Sequence, residues 1–197
     1  MTLADLAANV TATLTELKLA SHELILVGHS MSGMLVNYIT ATCPELNISR
    51  NVLVAPVHPS AQLSGAIGSR IGVLEEAQQL GPLGNSIPDA ATGPGATGLQ
   101  RAFIRLLILG NSVEGYCANC RAIMSGETCG LDYAKVKVPT LVVYGKYDKT
   151  SPWTGCIEEI AKGLRDVVTL KELPVGHWIA IEDDEGLASI MKEFIIN

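Results

Sequence analysis

Three polar residues of this chain have the types and the order that acyl-transfer chemistry requires. Ser30, Asp148 and His177 each follow a short apolar run of the kind that forms a buried strand. A serine hydroxyl is a weak nucleophile until a base takes its proton, and a histidine base needs an acid to hold one tautomer. The three residues therefore suit a nucleophile, an acid and a base.

Ser30 lies in residues 27–33, which join a predicted strand to a predicted helix. On such a turn the serine hydroxyl projects above the sheet, and small neighbours let the turn close. The backbone N–H of Met31, at the positive end of the helix, would face a developing oxyanion. Serine replaces the second glycine of the G-x-S-x-G pattern, and the predicted supporting residues of the turn are Gly28, Ser32 and Gly33.

His177 is the best placed of the four histidines to act as the base. It follows the last predicted strand, and catalytic groups collect at the carboxyl edge of a parallel sheet. His22 precedes a strand in a polar stretch and is expected at the surface. His29 is expected to pack inside the turn, and His58 follows the second strand in a loop, where a role in the site stays open.

Asp148 is the predicted acid because it also follows a strand at the carboxyl edge. Asp132 precedes its strand and would lie at the opposite edge, whereas Asp89 falls in a region without predicted strands. The acidic residues 182–185 are interpreted as the capped, dipole-favoured start of the last helix.

The elements that must position these groups alternate between strand and helix, which predicts a mostly parallel sheet with helices on both faces. Residues 58–132 differ, since they are rich in Gly, Pro and Ala, and are interpreted as an inserted helical lid between core segments 1–57 and 133–197. Strands are predicted over 24–27, 51–55, 139–144 and 167–173; helices are predicted over 3–17, 31–42, 73–80, 100–109, 115–124, 153–164 and 184–196.

Composition excludes several function classes. The net charge of −6 argues against nucleic acid as the main partner, because phosphate binding needs clustered cations. No apolar run approaches the roughly 18 residues of a membrane helix, and the N-terminus does not resemble a signal peptide. Five scattered cysteines, including the pair Cys117 and Cys120, are interpreted as free thiols rather than as a disulfide framework or metal site, which favours a cytoplasmic location.

The three loops 28–33, 145–148 and 176–177, taken together, resemble the signature loops of α/β-hydrolases, which also share the chain order Ser, Asp, His. Residues 114–123 and 138–143 resemble the corresponding stretch of 3-oxoadipate enol-lactonase and related esterases. The resemblance implies the α/β-hydrolase fold and a serine hydrolase of small esters or lactones, acting through an acyl-enzyme on Ser30 without metal or organic cofactor. An anionic substrate would suit the lid cations Arg101, Arg105 or Arg121, whose alternative interpretation is solvated helix faces.

The resemblance also predicts an N-terminal truncation, because α/β-hydrolases place about four strands before the nucleophile strand and here one helix precedes it. The second oxyanion donor is therefore not identified. An open sheet edge would be available to a second copy of the chain or to a completing partner. Two other functions stay open: a non-catalytic ligand-binding homologue or inactive truncated form, and an acyltransferase.

Overall fold

The computed structural model describes residues 1–196 and contains one four-stranded parallel sheet. The strands lie in sequence order, with β1 (Leu24–His29) at one side, then β2 (Ile48–Val54), β3 (Thr140–Gly145) and β4 (Val168–Leu173). The predicted parallel sheet is therefore confirmed. Because all the strands run the same way, their carboxyl ends share one edge, and the loops that carry the predicted site residues leave from that edge.

Helices cover both faces of the sheet, as predicted. On one face of the sheet, Leu53 and Val142 pack against α2 (Met31–Thr42) and α7 (Glu158–Leu164). On the other face, Val52 and Leu141 pack against the C-terminal helix, α9 (Asp184–Ile196). The helices are α1 (Leu3–Glu16), α2 (Met31–Thr42), α3 (Ala61–Ala77), α4 (Gly81–Ala90), α5 (Gly98–Leu109), α6 (Val113–Ser125), α7 (Glu158–Leu164), α8 (Ile179–Glu182) and α9 (Asp184–Ile196).

Local sequence explains where several of these helices begin. Thr2 and Asp5 form a reciprocal capping box at α1, which satisfies two backbone N–H groups that the helix itself leaves free. Asp183 accepts a hydrogen bond from the Gly186 N–H at the start of α9 (2.9 Å), as a capping carboxylate does. The predicted bounds of α2 and α9 match the structure.

The chain between β2 and β3 is helical, but two helices differ from the expectation. The helix predicted over 73–80 is the end of α3, which begins at Ala61 and contains three glycines. The predicted break at Gly81 and Pro82 is instead the first turn of α4, where proline is tolerated because its missing N–H would have no partner. Likewise, the helix predicted from Trp153 begins only at Glu158, after a turn in which Gly155 has φ 75°.

Two further features concern the outside of the molecule. Among residues 1–196, β1 pairs only with β2, and Val27 on β1 is 52% exposed. Pairing of this edge with a second copy or a completing partner stays a prediction.

No helix in the described part of the chain is long and apolar enough to span a membrane.

Candidate active site

Ser30 occupies a strained turn between β1 and α2. Its backbone has φ 55° and ψ −118°, a conformation that costs a residue with a side chain on the order of 1–3 kcal/mol. Two glycines make the turn possible. A Cβ at Gly28 would collide with the Ser32 carbonyl oxygen, and a Cβ at Gly33 would lie 2.7 Å from the Cβ of Pro56. Gly33 is therefore the small residue that the turn requires, and Ser32 is accommodated in the position next to it.

The structure brings the three predicted site residues into one hydrogen-bonded chain. The Ser30 hydroxyl lies 2.9 Å from Nε2 of His177, and Nδ1 of His177 lies 2.8 Å from Oδ2 of Asp148. The carboxylate accepts only, so Nδ1 carries the proton and Nε2 is left to accept from the serine. His177 and Asp148 are buried, at 6% and 5% exposure, which strengthens their interaction relative to the same contact in water.

Backbone amides hold the Asp148 carboxylate in place. Its Oδ1 accepts hydrogen bonds from the N–H groups of Thr150 and Ser151, at 2.7 and 2.9 Å, which leaves Oδ2 to face His177. The Ser151 hydroxyl in turn donates to the carbonyl of Ala55, just beyond β2. The loop after β3 is thus held against the neighbouring strand, so that the Asp148 carboxylate cannot rotate freely away from His177.

Glu182 fixes the loop that carries His177, a role that the sequence analysis missed. Its Oε2 accepts from the N–H groups of Gly176 (2.9 Å) and Gly93 (2.6 Å), and its Oε1 accepts from Trp178 (3.1 Å). The interpretation of Glu182 as part of the start of the last helix is therefore wrong, because its carboxylate is directed at the backbone around His177. The clue in the sequence was its position five residues after the predicted base.

The loop around His177 also packs against the chain that follows α4. The His177 N–H donates to the Ala91 carbonyl at 2.8 Å. A Cβ at Gly176 would lie 2.6 Å from the amide nitrogen of Gly93, so this contact requires a glycine. The helical segment 58–132 is thereby joined directly to the residue predicted to act as base.

His29 donates from Nε2 to the carbonyl oxygen of His177 at 2.8 Å, and its ring lies 5.0 Å from the ring of His177. Burial, together with a smaller contribution from the neighbouring His177, lowers the pKa of His29 from 6.5 to about 4. His29 is therefore neutral near pH 7. His29 therefore also supports the loop that carries the predicted base, whereas the sequence indicated only packing inside the turn.

The other two histidines lie away from this chain of hydrogen bonds. His22 is exposed, as expected. Nδ1 of His58 lies 3.0 Å from the Tyr133 hydroxyl, and His58 lines a second cavity rather than the one that contains Ser30.

A cavity of about 270 Å³ opens over Ser30 and His177; we call it the Ser30 cavity. Its walls come mainly from α3, α5 and α6, and most of the lining is apolar, with a few polar groups that include Arg70, Tyr116 and Asn119. This volume lies just below the usual range for drug-sized ligands, so it suits a small molecule.

The three arginines named from the sequence as candidate anion ligands do not line the Ser30 cavity. Arg101 lies 3.1 Å from the Asp89 carboxylate, Arg121 lies 3.3 Å from Glu75, and Arg105 donates to the side chain of Asn85. Arg105 and Arg121 are exposed, which agrees with their interpretation as solvated helix faces. Arg101 is partly buried and also donates to the Ala96 carbonyl at 2.6 Å, so that interpretation does not fit it.

Comparisons with known proteins agree with the fold. Residues 1–190 match the model of the alpha/beta hydrolase family. Solved structures with the same fold include a hydrolase from Pseudomonas aeruginosa (20% identity, TM-score 0.86, 98% of this chain and 72% of that chain) and an enol-lactonase from Burkholderia xenovorans (20%, 0.83, 100% and 74%). An esterase from Exiguobacterium antarcticum is similar (16%, 0.84, 100% and 74%). No curated protein sequence matches this chain. The family match spans nearly the whole chain, and the protein therefore belongs to the alpha/beta hydrolase family.

Proposed function

We propose that this protein is a serine hydrolase that cleaves a small carboxylic ester or lactone through an acyl-enzyme on Ser30. The observation that carries the proposal is the continuous hydrogen-bonded chain from the Ser30 hydroxyl through His177 to Asp148. This chain ends at a cavity of small-molecule size. The likeness to an enol-lactonase and an esterase supports the same reaction class.

In the first half of the reaction, Nε2 of His177 takes the hydroxyl proton while the Ser30 oxygen attacks the substrate carbonyl carbon. Asp148 holds the Nδ1 proton and stabilises the imidazolium cation that forms. The tetrahedral intermediate then collapses, and the imidazolium gives its proton to the departing alkoxide. In a lactone the alkoxide stays attached to the acyl group, because the ring has only been opened.

The Met31 N–H is the oxyanion donor that the chain itself provides. It lies in the first turn of α2, where backbone N–H groups have no acceptor within the helix, and the helix dipole adds positive potential there. A single donor of this kind contributes roughly 100- to 1,000-fold to the rate.

In the second half of the reaction, water attacks the acyl-enzyme while His177 again takes the proton. The imidazolium returns that proton to Ser30 as the free acid is released.

The test is hydrolysis of a panel of short methyl esters and small lactones by the wild type, Ser30→Ala and Ser32→Ala. Ser32 is the matched control because it is a serine on the same turn, two residues away. We expect acid production that is abolished in Ser30→Ala and kept within a few-fold in Ser32→Ala. Full activity in Ser30→Ala would refute the proposal, and alcohol release without matching free acid would indicate transfer to another acceptor.

A further inference from the structure

Arg70 stands apart from the other groups that line the Ser30 cavity. Among the described residues it is the one lining side chain with a full positive charge at neutral pH, and no Asp or Glu lines the cavity with it. Arg70 therefore gives one wall of an otherwise mostly apolar cavity a distinct chemistry.

Helical spacing explains how Arg70 reaches the cavity. Leu63, Ile67 and Arg70 recur at four- and three-residue intervals on α3, so they share one helix face, and all three line the cavity. On α6, Tyr116 and Asn119 share a face in the same way and also line it. Because α3 packs against α6, Arg70, Tyr116 and Asn119 form a polar patch on the α3–α6 wall of the Ser30 cavity, whose lining is otherwise mostly apolar.

Arg70 has no carboxylate partner within 4 Å in the part of the chain that the structure describes, in contrast to Arg101 and Arg121. Its side chain is half-buried. Burial raises the pKa of Tyr116, and the Arg70 guanidinium opposes that rise, which agrees with a cation beside the phenol. A partly desolvated guanidinium without a counter-ion offers a planar donor set that suits a carboxylate.

We propose that Arg70 binds a carboxylate on the substrate, so that the preferred ester or lactone is an anion with its carboxylate at the α3–α6 wall and its acyl carbon at Ser30. The inference rests on the proposed function of Ser30 for the turnover step, but binding of the anion does not depend on it. Tyr116 and Asn119 lie on the same wall and can donate to the second carboxylate oxygen. Arg70 is thus a specificity-determining residue rather than part of the reacting chain.

The kinetic test compares monomethyl succinate, glutarate and adipate with analogues in which a primary amide replaces the free carboxylate. We expect the wild type to prefer at least one acid ester over its amide analogue. Arg70→Gln should lower kcat/KM for that acid ester by roughly 10- to 100-fold, mainly through KM, and leave the amide analogue within about twofold. Arg70→Lys should recover part of the loss, and Arg105→Gln, on an outer helix face, is the matched control.

A binding test separates this proposal from the function of Ser30. Calorimetry with the unreactive dianions glutarate and adipate, on wild type and Arg70→Gln, requires no turnover. Binding that is lost in Arg70→Gln supports the proposal even if no ester is hydrolysed. The proposal is overturned if neither dianion binds the wild type and no acid ester is preferred, or if Arg70→Gln weakens acid and amide substrates equally.

Discussion

Glu182 holds the backbone on both sides of His177 through a single carboxylate. Its two oxygens accept from Gly176 and from Trp178, the residues that flank the histidine, while Oε2 also accepts from Gly93. Three N–H donors on one carboxylate leave little freedom for the loop. The position of Nε2 relative to Ser30 therefore depends on a residue that does not itself contact the serine.

Replacing Glu182 with glutamine should loosen the His177 loop. The neutral amide has one acceptor oxygen for three donors, so we expect a loss of about 1–3 kcal/mol in unfolding free energy. We also expect a fall in kcat of roughly 10- to 100-fold with KM little changed, because the predicted base is displaced while the cavity wall formed by α3 and α6, which Glu182 does not contact, stays in place. Denaturant unfolding and ester kinetics measure the two effects. Glu185→Gln, an exposed change of the same type, is the control, and unchanged kcat in Glu182→Gln would contradict the role.

Asp148→Asn tests the acid. The side chain keeps its size and its Oδ1 acceptor, but an amide nitrogen facing Nδ1 would favour the wrong tautomer of His177. We expect kcat to fall by roughly 1,000- to 10,000-fold, with a folded protein. Asp89→Asn and Asp132→Asn replace the two other aspartates considered from the sequence and should stay within about threefold. If either of these two variants matched Asp148→Asn in its loss, the assignment of the acid would be wrong.

The pH dependence of stability should report on His29. Its pKa in the folded state, about 4, lies below the ordinary value of 6.5, so the unfolded chain binds the proton more tightly. The stabilising contribution is therefore complete above about pH 6.5 and is lost as the pH falls towards 4. It amounts to about 3 kcal/mol.

Urea unfolding at several pH values between 7.5 and 4.5 checks this expectation. His29→Gln retains a donor for the His177 carbonyl but cannot titrate, so its stability should fall less steeply with acid than that of the wild type. His22→Gln, at an exposed position, should follow the wild type. Equal slopes for wild type and His29→Gln would show that His29 does not carry the effect.

Substitutions at the neighbouring positions Ser32 and Gly33 should have different effects on stability and kcat. Ser32→Gly restores the common G-x-S-x-G pattern, and we expect activity within a few-fold and at most about 1 kcal/mol of lost stability. Gly33→Ala places a Cβ 2.7 Å from the Cβ of Pro56, so α2 must shift, at a cost of about 1–3 kcal/mol and a marked loss of kcat. Gly72→Ala, in open space on α3, should stabilise slightly. Thermal unfolding and ester kinetics distinguish these outcomes. An active, stable Gly33→Ala would show that the turn does not require glycine at this position.

Much of the sheet and its flanking helices could be predicted because local signals agreed with the fold. The apolar runs marked all four strands to within a few residues, and Pro44 marked the end of α2. The loops at the carboxyl ends of the strands then determined which serine, aspartate and histidine could meet, and the structure brings these three residues together. Their catalytic roles stay predictions, as does the division into core and lid.

The features that the sequence did not reveal depend on packing between distant segments. Because α3 contains three glycines, the sequence did not indicate a helix before residue 73, although packing against α6 stabilises one there. Without that part of α3, Arg70 could not be assigned to the cavity. Nothing local distinguishes Arg70 from Arg101 or Arg121, because the difference lies in which carboxylates are nearby in the fold. Glu182 was misinterpreted for the same reason, since Gly93 is distant in sequence and close in space.

The central claim is that Ser30 is an activated nucleophile, and intact-protein mass after exposure to a fluorophosphonate tests it most directly. We predict one covalent adduct on the wild type and none on Ser30→Ala or His177→Ala, because activation requires both the hydroxyl and its base. Absence of an adduct on folded wild-type protein, or an adduct that persists in Ser30→Ala, would contradict the claim.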